Sequence, residues 1–585
     1  MDERGFVGCA FVGPEFERYY TNRYEAMNYM ESLKYEDVLF VATNLDYDLA
    51  MVFGPNIEKL RYFYADNRLL YAEFNDKSSN CQFWDTIRCI GFYSVATLGK
   101  MVGINKLPTP RVLLDESVNR PLWVCDKHDE VECIECYCIQ DARITREAYM
   151  MFSREMQSLN CPLKTTIAST AINLWKNSTP RKLQKSLRKD YDSMCREAYY
   201  GGRAEVFRVG YADYINEYDV NSLYPYVMRT FQYPNTDHLA FLSFDHKWSK
   251  IEDREGVANV ELVAPDIKIP LLPYRYSNKL IFPTGTFEGT YTLVELRKAV
   301  QLGYEILNVN WSLTTFETIQ PFRHFVDGLY KYRLLYKSSG NPLENVYKIL
   351  LNSTYGKFGQ RQSGSIGWLR EIEAKDFDAP IHPVNVIDLN KTAMVIDQIN
   401  NSYTPTYLNV LWASYITAYA RLHLYSLMEQ VDFNVYYCDT DAIFTPEKME
   451  TSDSLGAVKE EISGHSGVFI SPKFYSVTDN NGNTSYKVKG VPSGKQQQYY
   501  DGDQVTFTIP VSIMQGLKNG ITPASWQIIQ RTYHYEFDKR RLEPLDTNGF
   551  TGYATTSPVK LVNGDPDDLI SSSELKSLVT KLRSR

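Results

Sequence analysis

Apolar and polar positions divide the chain into stretches of different rhythm. Up to about residue 165, short apolar runs alternate with segments whose apolar residues return every three or four positions. GFVGCAFVG and DVLFVATNL read as strands, and YEAMNYMESL and ECYCIQDARITREAYMMF as helices, which is an α/β pattern. A basic stretch from Arg181 to Arg196 follows and ends in Tyr199-Tyr200-Gly201-Gly202-Arg203. From 205 to about 445 a larger α/β region carries most of the polar groups that interrupt apolar runs. Beyond about 480, Gly, Asn and Pro punctuate short mixed elements, down to the polar ELKSLVTKLRSR.

Three of those interruptions carry candidate chemistry. In NEYDVNSLYPYVM a strand over Tyr211 to Val220 places Asp219 near its C-terminal end, and Pro225 suits the first turn of a following helix. A carboxylate beside a helix N-terminus suits a triphosphate if a divalent cation bridges them, although a strand-end Asp also serves as a plain cap. In NVYYCDTDAIF two aromatic-rich runs flank Asp439 and Asp441, as in a tight hairpin. The two acids share parity, so the pleat puts them on one face unless the turn intervenes. Such a pair is costly without a cation, or is simply a solvated turn. In VYKILLNSTYGKFG, Lys348, Asn352 and Tyr355 share one helix face, and Gly356 is placed to end the helix. Arg333 and Lys337 repeat the pattern upstream, where a solvated charged face is the competing reading.

Composition narrows the field. The 585 residues exceed one ordinary domain, and three or four are expected. The net charge of −8 argues against coating nucleic acid through bulk positive charge. No apolar run reaches the length of a membrane span, and MDERGFVGCAFVG lacks the basic start of a signal peptide. Ten cysteines in this length suggest a reducing, intracellular setting rather than a disulfide scaffold. Cys125, His128, Cys133 and Cys136 have zinc-site side chains, but their middle spacing is short and the last two fall on a helix. The expectation there is buried thiols. The glycines of the 199–203 stretch permit close approach of another chain, fitting a connector on nucleic acid or an ordinary turn.

Taken in order, these pieces resemble family-B DNA polymerases. Asp219-x-x-Ser222-Leu223-Tyr224-Pro225 looks like their motif A, Lys348-x3-Asn352-Ser353-x-Tyr355-Gly356 like motif B, and Tyr437-x-Asp439-Thr440-Asp441 like motif C. Ala442 stands where the family usually has Ser. Tyr199-x-Gly201-Gly202 and Lys473-Phe474-Tyr475 are similar to the linker and K-x-Y motifs of the protein-primed branch, which contact DNA. The resemblance implies a right-hand palm, fingers and thumb behind an RNase H-like exonuclease domain. It implies two Mg2+ or Mn2+ ions on Asp219, Asp441 and the Val220 carbonyl, with Asp439 beside them. Tyr224 would exclude a ribose hydroxyl. Tyr355 and Asn352 would line the nascent base pair, and Lys348, Arg333 and Lys337 would neutralise the triphosphate. Template and primer DNA, dNTPs and a terminal protein are the implied partners, and a virus or linear plasmid in host cytoplasm or organelle the implied setting. A nucleic-acid-primed polymerase and a catalytically dead DNA-binding relative are the alternatives.

The implied division is exonuclease-like 1–165, linker 166–204, palm 205–230 and 406–478, first insertion 231–318, fingers 319–362, second insertion 363–405, and thumb 479–585. Asn44-x3-Asp48 and Tyr137-x3-Asp141 look like the second and third exonuclease motifs. The first, Asp-x-Glu on an opening strand, is absent, and the adjacent Asp2 and Glu3 would point to opposite faces of a strand. Weak or absent 3′–5′ digestion is therefore expected.

Overall fold

The computed structural model describes residues 6–53, 56, 59–65, 68–114, 121–184, 186–277, 279–361, 405–502, 504–512, 526–532, 539–543 and 553–566, with the backbone strands at 367–372, 386–389 and 392–398. Asp2, Glu3, most of the expected second insertion and the polar C-terminal stretch lie outside the described residues.

The sheet that positions the chemistry is antiparallel. From one edge it runs Thr484–Val488, Phe474–Thr478, Val458–Ser471, Arg208–Val220, Ala442–Thr445, Tyr437–Asp439 and Ala204–Val206. The long central strand buries Val209, Ala212, Ile215, Tyr218 and Val220. The mixed spacing of those residues matches the register shifts that bulge its partner Val458–Ser471. Tyr553–Pro558, from the expected thumb, returns to pair with the start of the same strand.

One face of this sheet packs on helix Val410–Gln430. Asn409 caps it by accepting from the Trp412 amide at 3.2 Å. Its buried residues surround the whole helix, which is what a helix in the middle of a core shows. Trp412 meets Trp175, Phe322 and Phe358 in an aromatic cluster with ring centroids 5.0 to 6.4 Å apart. Both indoles donate to buried carbonyls, Trp175 to Pro321 and Trp412 to Pro234. That cluster fixes the paired helices Arg323–Ser338 and Leu343–Phe358. It also explains why Gly356 does not end the second one, contrary to expectation. Phe358 is fully buried in the cluster, and the helix runs on to it before Gly359 caps.

A six-stranded sheet built mainly from 240–315 packs beside this core, and the late strand Lys560–Val562 joins it in parallel with Thr284–Thr292. In the N-terminal part, Leu39–Ala42 lies parallel to Gln82–Asp85 at the end of a seven-stranded sheet. The backbone strand Gly367–Ile372 extends that sheet through a Gly367–Tyr64 pairing. Cys9–Val12 pairs only with Glu17–Tyr20 among the described residues.

Candidate active site

Strand register assembles the acids. Asp219 lies directly across from Ala442 on one side and Lys459 on the other. The Val220 amide donates to the Asp441 carbonyl at 2.8 Å, so the end of the central strand is locked to the hairpin tip. The tip is tight. The Asp441 amide donates back to the Asp439 carbonyl at 2.7 Å, and Thr440 takes a φ of 63°. The turn therefore interrupts the pleat between Asp439 and Asp441, and parity does not place them on one face. Asp439 accepts from the Tyr437 hydroxyl at 2.9 Å and pairs with Lys473 at 3.1 Å. Among the described residues no ammonium pairs with Asp441, and burial, then Asp219, pushes its carboxyl up to about 6 against a weaker pull from Lys473. Burial raises Asp219 as well, while Lys459 and Lys348 pull it down. Its side chain is still 31 % exposed, open to a ligand.

Glu217 joins the cluster, pushed up to about 7 by burial and then by Asp219 and Glu461. Sequence reasoning passed over it, although it lies two residues before Asp219 and so shares its face. Lys459 and Glu461 were missed for another reason. They arrive from a separate strand that no local motif marks. Acids that repel one another at a solvent-facing strand end are a donor set suited to hard divalent cations. Asp219, Asp441 and the Val220 carbonyl fit such ions.

Around the acids lie the expected nucleotide contacts. Ser222 caps helix Leu223–Thr230 with a φ of 55°. Leu223 is buried, so only its backbone is available to a ligand. Arg333 donates to the Ser222 hydroxyl and pairs with Glu344 at 3.3 Å. The Tyr224 and Tyr355 rings stack with centroids 4.0 Å apart and planes 16° from parallel. Lys348 and Asn352 project from the same helix as Tyr355 and are exposed. Lys337 is not brought to the acids. It pairs with the exposed Asp453 at 3.0 Å.

The linker motif packs against both the hairpin tip and the end of the Tyr355 helix. A Cβ on Gly202 would meet the Thr440 side chain at 2.9 Å, so glycine there lets the hairpin tip approach. Tyr199 lies over Gly359 at the end of the Tyr355 helix. The buried Arg421, held by Glu295 at 2.7 Å, donates to the carbonyls of Tyr200 and Gly201 at 2.8 and 2.9 Å. Tyr475 sits among Tyr437, Phe444 and Phe469, with centroids 5.3 to 5.6 Å away.

In the N-terminal part a cavity of about 280 Å³ is lined by residues of both Cys9–Val12 and Leu39–Ala42. Asp48, Tyr137 and Asp141 line it. Asn44, with a φ of 72°, precedes helix Leu45–Phe53 and donates its amide to Asp85 at 3.2 Å. Burial, then Asp85, pushes Asp48 up to about 7. Asp141 accepts two bonds from Lys106, at 2.6 and 2.8 Å, and the same ammonium donates to the Tyr137 hydroxyl at 2.9 Å. Lys106 sits in a loop with no periodic signal and was not anticipated.

A right-hand polymerase fold with an α/β N-terminal unit thus surrounds a strand-end acid cluster. The family model for DNA polymerase type B, organellar and viral, matches residues 104–429, more than half of the chain. The chain belongs to that family. A probable DNA polymerase of Ascobolus immersus is 29 % identical over 291 residues, 48 % of this chain and 24 % of that protein. The DNA-directed DNA polymerase of Enterobacteria phage PRD1 is 27 % identical, over 54 % of this chain and 55 % of its own length. The chain thus spans from a quarter to about half of these relatives. In three dimensions it is similar to phi29 DNA polymerase complexed with primer-template DNA, with a TM-score of 0.66 at 16 % identity, covering 88 % of this chain and 94 % of that one. Among the described residues no helix is long and apolar enough to cross a membrane.

Proposed function

We propose that the chain is the catalytic core of a DNA-directed DNA polymerase that extends a 3′-hydroxyl with dNTPs on a template. The observation that carries this is the strand register joining Asp219 to the Asp441 turn beneath the Tyr224–Tyr355 stack. Two Mg2+ ions, or Mn2+, would be held by Asp219, Asp441 and the Val220 carbonyl. When bound, such ions acidify the attacking hydroxyl and neutralise the triphosphate and leaving pyrophosphate.

The rest falls to the chain's own residues. The first amides of helix Leu223–Thr230 have no partner within the helix and offer an anion-binding end. Arg333, held at Ser222, adds a fixed guanidinium there, and the exposed Lys348 adds a second cation facing Asp219. Tyr224, immobilised by its stack, presents a wall at the sugar, which selects deoxyribose by exclusion. Tyr355 and Asn352 are placed to flank the new base pair. Asp439 orients Lys473 toward the primer strand, with Tyr437 and Tyr475 packed behind it. Tyr199, Gly201 and Gly202 carry the DNA path past the hairpin tip. Sequence is read by template pairing, so no base-reading side chain is required.

An initiating hydroxyl on a terminal protein is the reading favoured by the Tyr199-x-Gly201-Gly202 and Lys473-x-Tyr475 motifs. The domain division given above is proposed with it, with the C-terminal part returning to the palm sheet. The N-terminal unit is exonuclease-like in Asn44, Asp48, Tyr137 and Asp141, but weak in digestion, because Asp141 is already neutralised by Lys106. Primer extension on a primed single-stranded template with Mg2+, wild type beside Asp441→Ala, tests the reading. Extension by the wild type and its loss in the variant are expected. An inactive wild type that still binds primed DNA would leave a DNA-binding relative instead.

A further inference from the structure

The short spacing from Cys125 to Cys136 argued for buried thiols; Cys125 and Cys133 are buried, and the backbone also gathers all four side chains of the cluster. Val124 and Val131 form an antiparallel bridge that folds 124–131 into a hairpin. The hairpin brings Cys125 and His128 back over the first turn of helix Ile134–Ser158. Cys133 caps that helix, and Cys136 lies three residues on, the same side of the first turn. The ligand atoms of Cys125, His128, Cys133 and Cys136 all lie within 4.8 Å of one another. His128 Nδ1 is 3.3 Å from Cys133 Sγ and 3.6 Å from Cys136 Sγ. Bonds of about 2.3 Å to sulfur and about 2.0 Å to nitrogen set neighbouring ligand atoms of a tetrahedral zinc about 3.5 Å apart.

We propose that Cys125, His128, Cys133 and Cys136 bind one structural zinc ion through three thiolates and His128 Nδ1. The surroundings fit this assignment. His128 Nε2 lies 3.7 Å from a Glu135 carboxylate oxygen, while Nδ1 is the ring nitrogen beside the sulfurs. Glu135 is itself paired with Lys127 at 3.2 Å. The His128 amide points at Cys125 Sγ at 3.4 Å, a contact that favours thiolate. Four protein ligands close the coordination shell, which marks a structural rather than a catalytic site.

The site's place in the fold says what it holds. Glu132, on the return strand of the hairpin, accepts from the Arg111 amide at 2.7 Å, and Trp123 donates to the Pro108 carbonyl at 3.1 Å. The hairpin thus grips the loop that carries Lys106. Cys136 immediately precedes Tyr137, on the helix that carries Asp141. Zinc therefore staples the Lys106 loop to the Tyr137–Asp141 helix and sets one wall of the N-terminal cavity.

Metal content of the purified full chain, prepared with reducing agent and without chelator, tests the proposal. One zinc per chain is expected, retained in Asp441→Ala and Cys138→Ser and lost in Cys136→Ser. Metal-free protein refilled with Co2+ should show the intense visible bands and sulfur-to-cobalt absorption of a tetrahedral thiolate site. This reading needs only the wild type, so it stands whether or not the cysteine variant folds. Zinc below a tenth of an equivalent, an octahedral cobalt spectrum, or a disulfide among the three cysteines would overturn the assignment.

Discussion

Two acidic sites in this chain use the same side chain to opposite ends. In the palm, a strand end and the neighbouring hairpin turn deliver Asp219 and Asp441 to a solvent-facing corner, where burial raises the proton affinity of both and Asp219 raises that of Asp441 further. In the N-terminal cavity, Asp141 is bound by Lys106, and Asp48 is withdrawn into the cavity wall beside Asp85. The first arrangement answers its negative charge only in part, through Lys459 at 3.7 Å from Asp219, where a ligand reaches it. The second answers it with a cation or suppresses it by burial. What separates a metal-ready acid pair from a charge-satisfied one is therefore the position of the nearest ammonium. Lys473 takes Asp439, Lys459 stays 3.7 Å from Asp219, and no ion pair to Asp441 is found among the described residues.

The sharpest way to break this contrast is to remove one acid from each site. Asp441→Ala should cost primer extension about a thousandfold, ~4 kcal/mol of barrier, while primed-DNA binding survives. Asp141→Ala should leave extension within about twofold, since it supplies no group to that reaction. A mismatched primer with Mg2+ and no nucleotides should be trimmed slowly by the wild type. Rapid trimming would mean that the Lys106-bound acid is catalytically live, and the contrast would collapse.

The stack over the palm acids offers the next largest effect. Tyr224 is held in place by Tyr355 at 4.0 Å. Tyr224→Val should raise rNTP use relative to dNTP by about ten- to a hundredfold, ~1–3 kcal/mol of discrimination. Competing dNTP and rNTP incorporation on one template measures it. An unchanged ratio would remove Tyr224 from sugar selection.

What the sequence disclosed, and what it hid, follows from the range of each signal. Asp219, Asp441, Tyr224, Tyr355 and Lys348 sit in short local patterns, so their strand, hairpin and helix contexts were legible. The hairpin parity argument for Asp439 failed because the turn spends Thr440 in a left-handed conformation. Glu217 was legible in principle, being two positions from Asp219. Lys459, Lys106 and the Arg421–Glu295 pair were not, because each meets its partner only through tertiary packing, 126 positions away in the last case. Gly356 misled for a related reason. A helix end was inferred from local propensity, and the burial of Phe358 in an aromatic cluster outweighed it.

Proton linkage sharpens the comparison at smaller amplitude. Asp441 is raised from the ordinary carboxylate value to about 6, and Asp48 to about 7. An acid raised in the folded state binds its proton more tightly there than when unfolded. Its stabilising contribution is full below about pH 4 and is lost as pH rises through the folded value. In metal-free protein, Asp441→Asn should therefore gain stability over the wild type between about pH 4 and 6, on the order of 1 kcal/mol after solvent screening. Asp48→Asn should gain over a window reaching about pH 7. Mg2+ should erase the first gain, because it keeps Asp441 ionised, and leave the second. Thermal unfolding across pH, with and without Mg2+, reads both. An Mg2+ response at Asp48 would place a working ion site in the cavity.

The smallest effect concerns Ala442, directly across from Asp219 in the strand register. Its methyl group is buried at 7 % exposure, so a hydroxyl there has little solvent and must find a partner in the sheet or in bound DNA. Ala442→Ser restores the residue usual in motif C. If that hydroxyl serves the primer strand, the variant should tighten primer-terminus binding, seen as a lower KM for primed DNA at unchanged kcat. The shift should stay within about threefold, because the acids and their cations are untouched. A fall in kcat would show that the hydroxyl perturbs Asp219 itself. The palm acids would then be balanced against their apolar neighbour as closely as against the surrounding lysines.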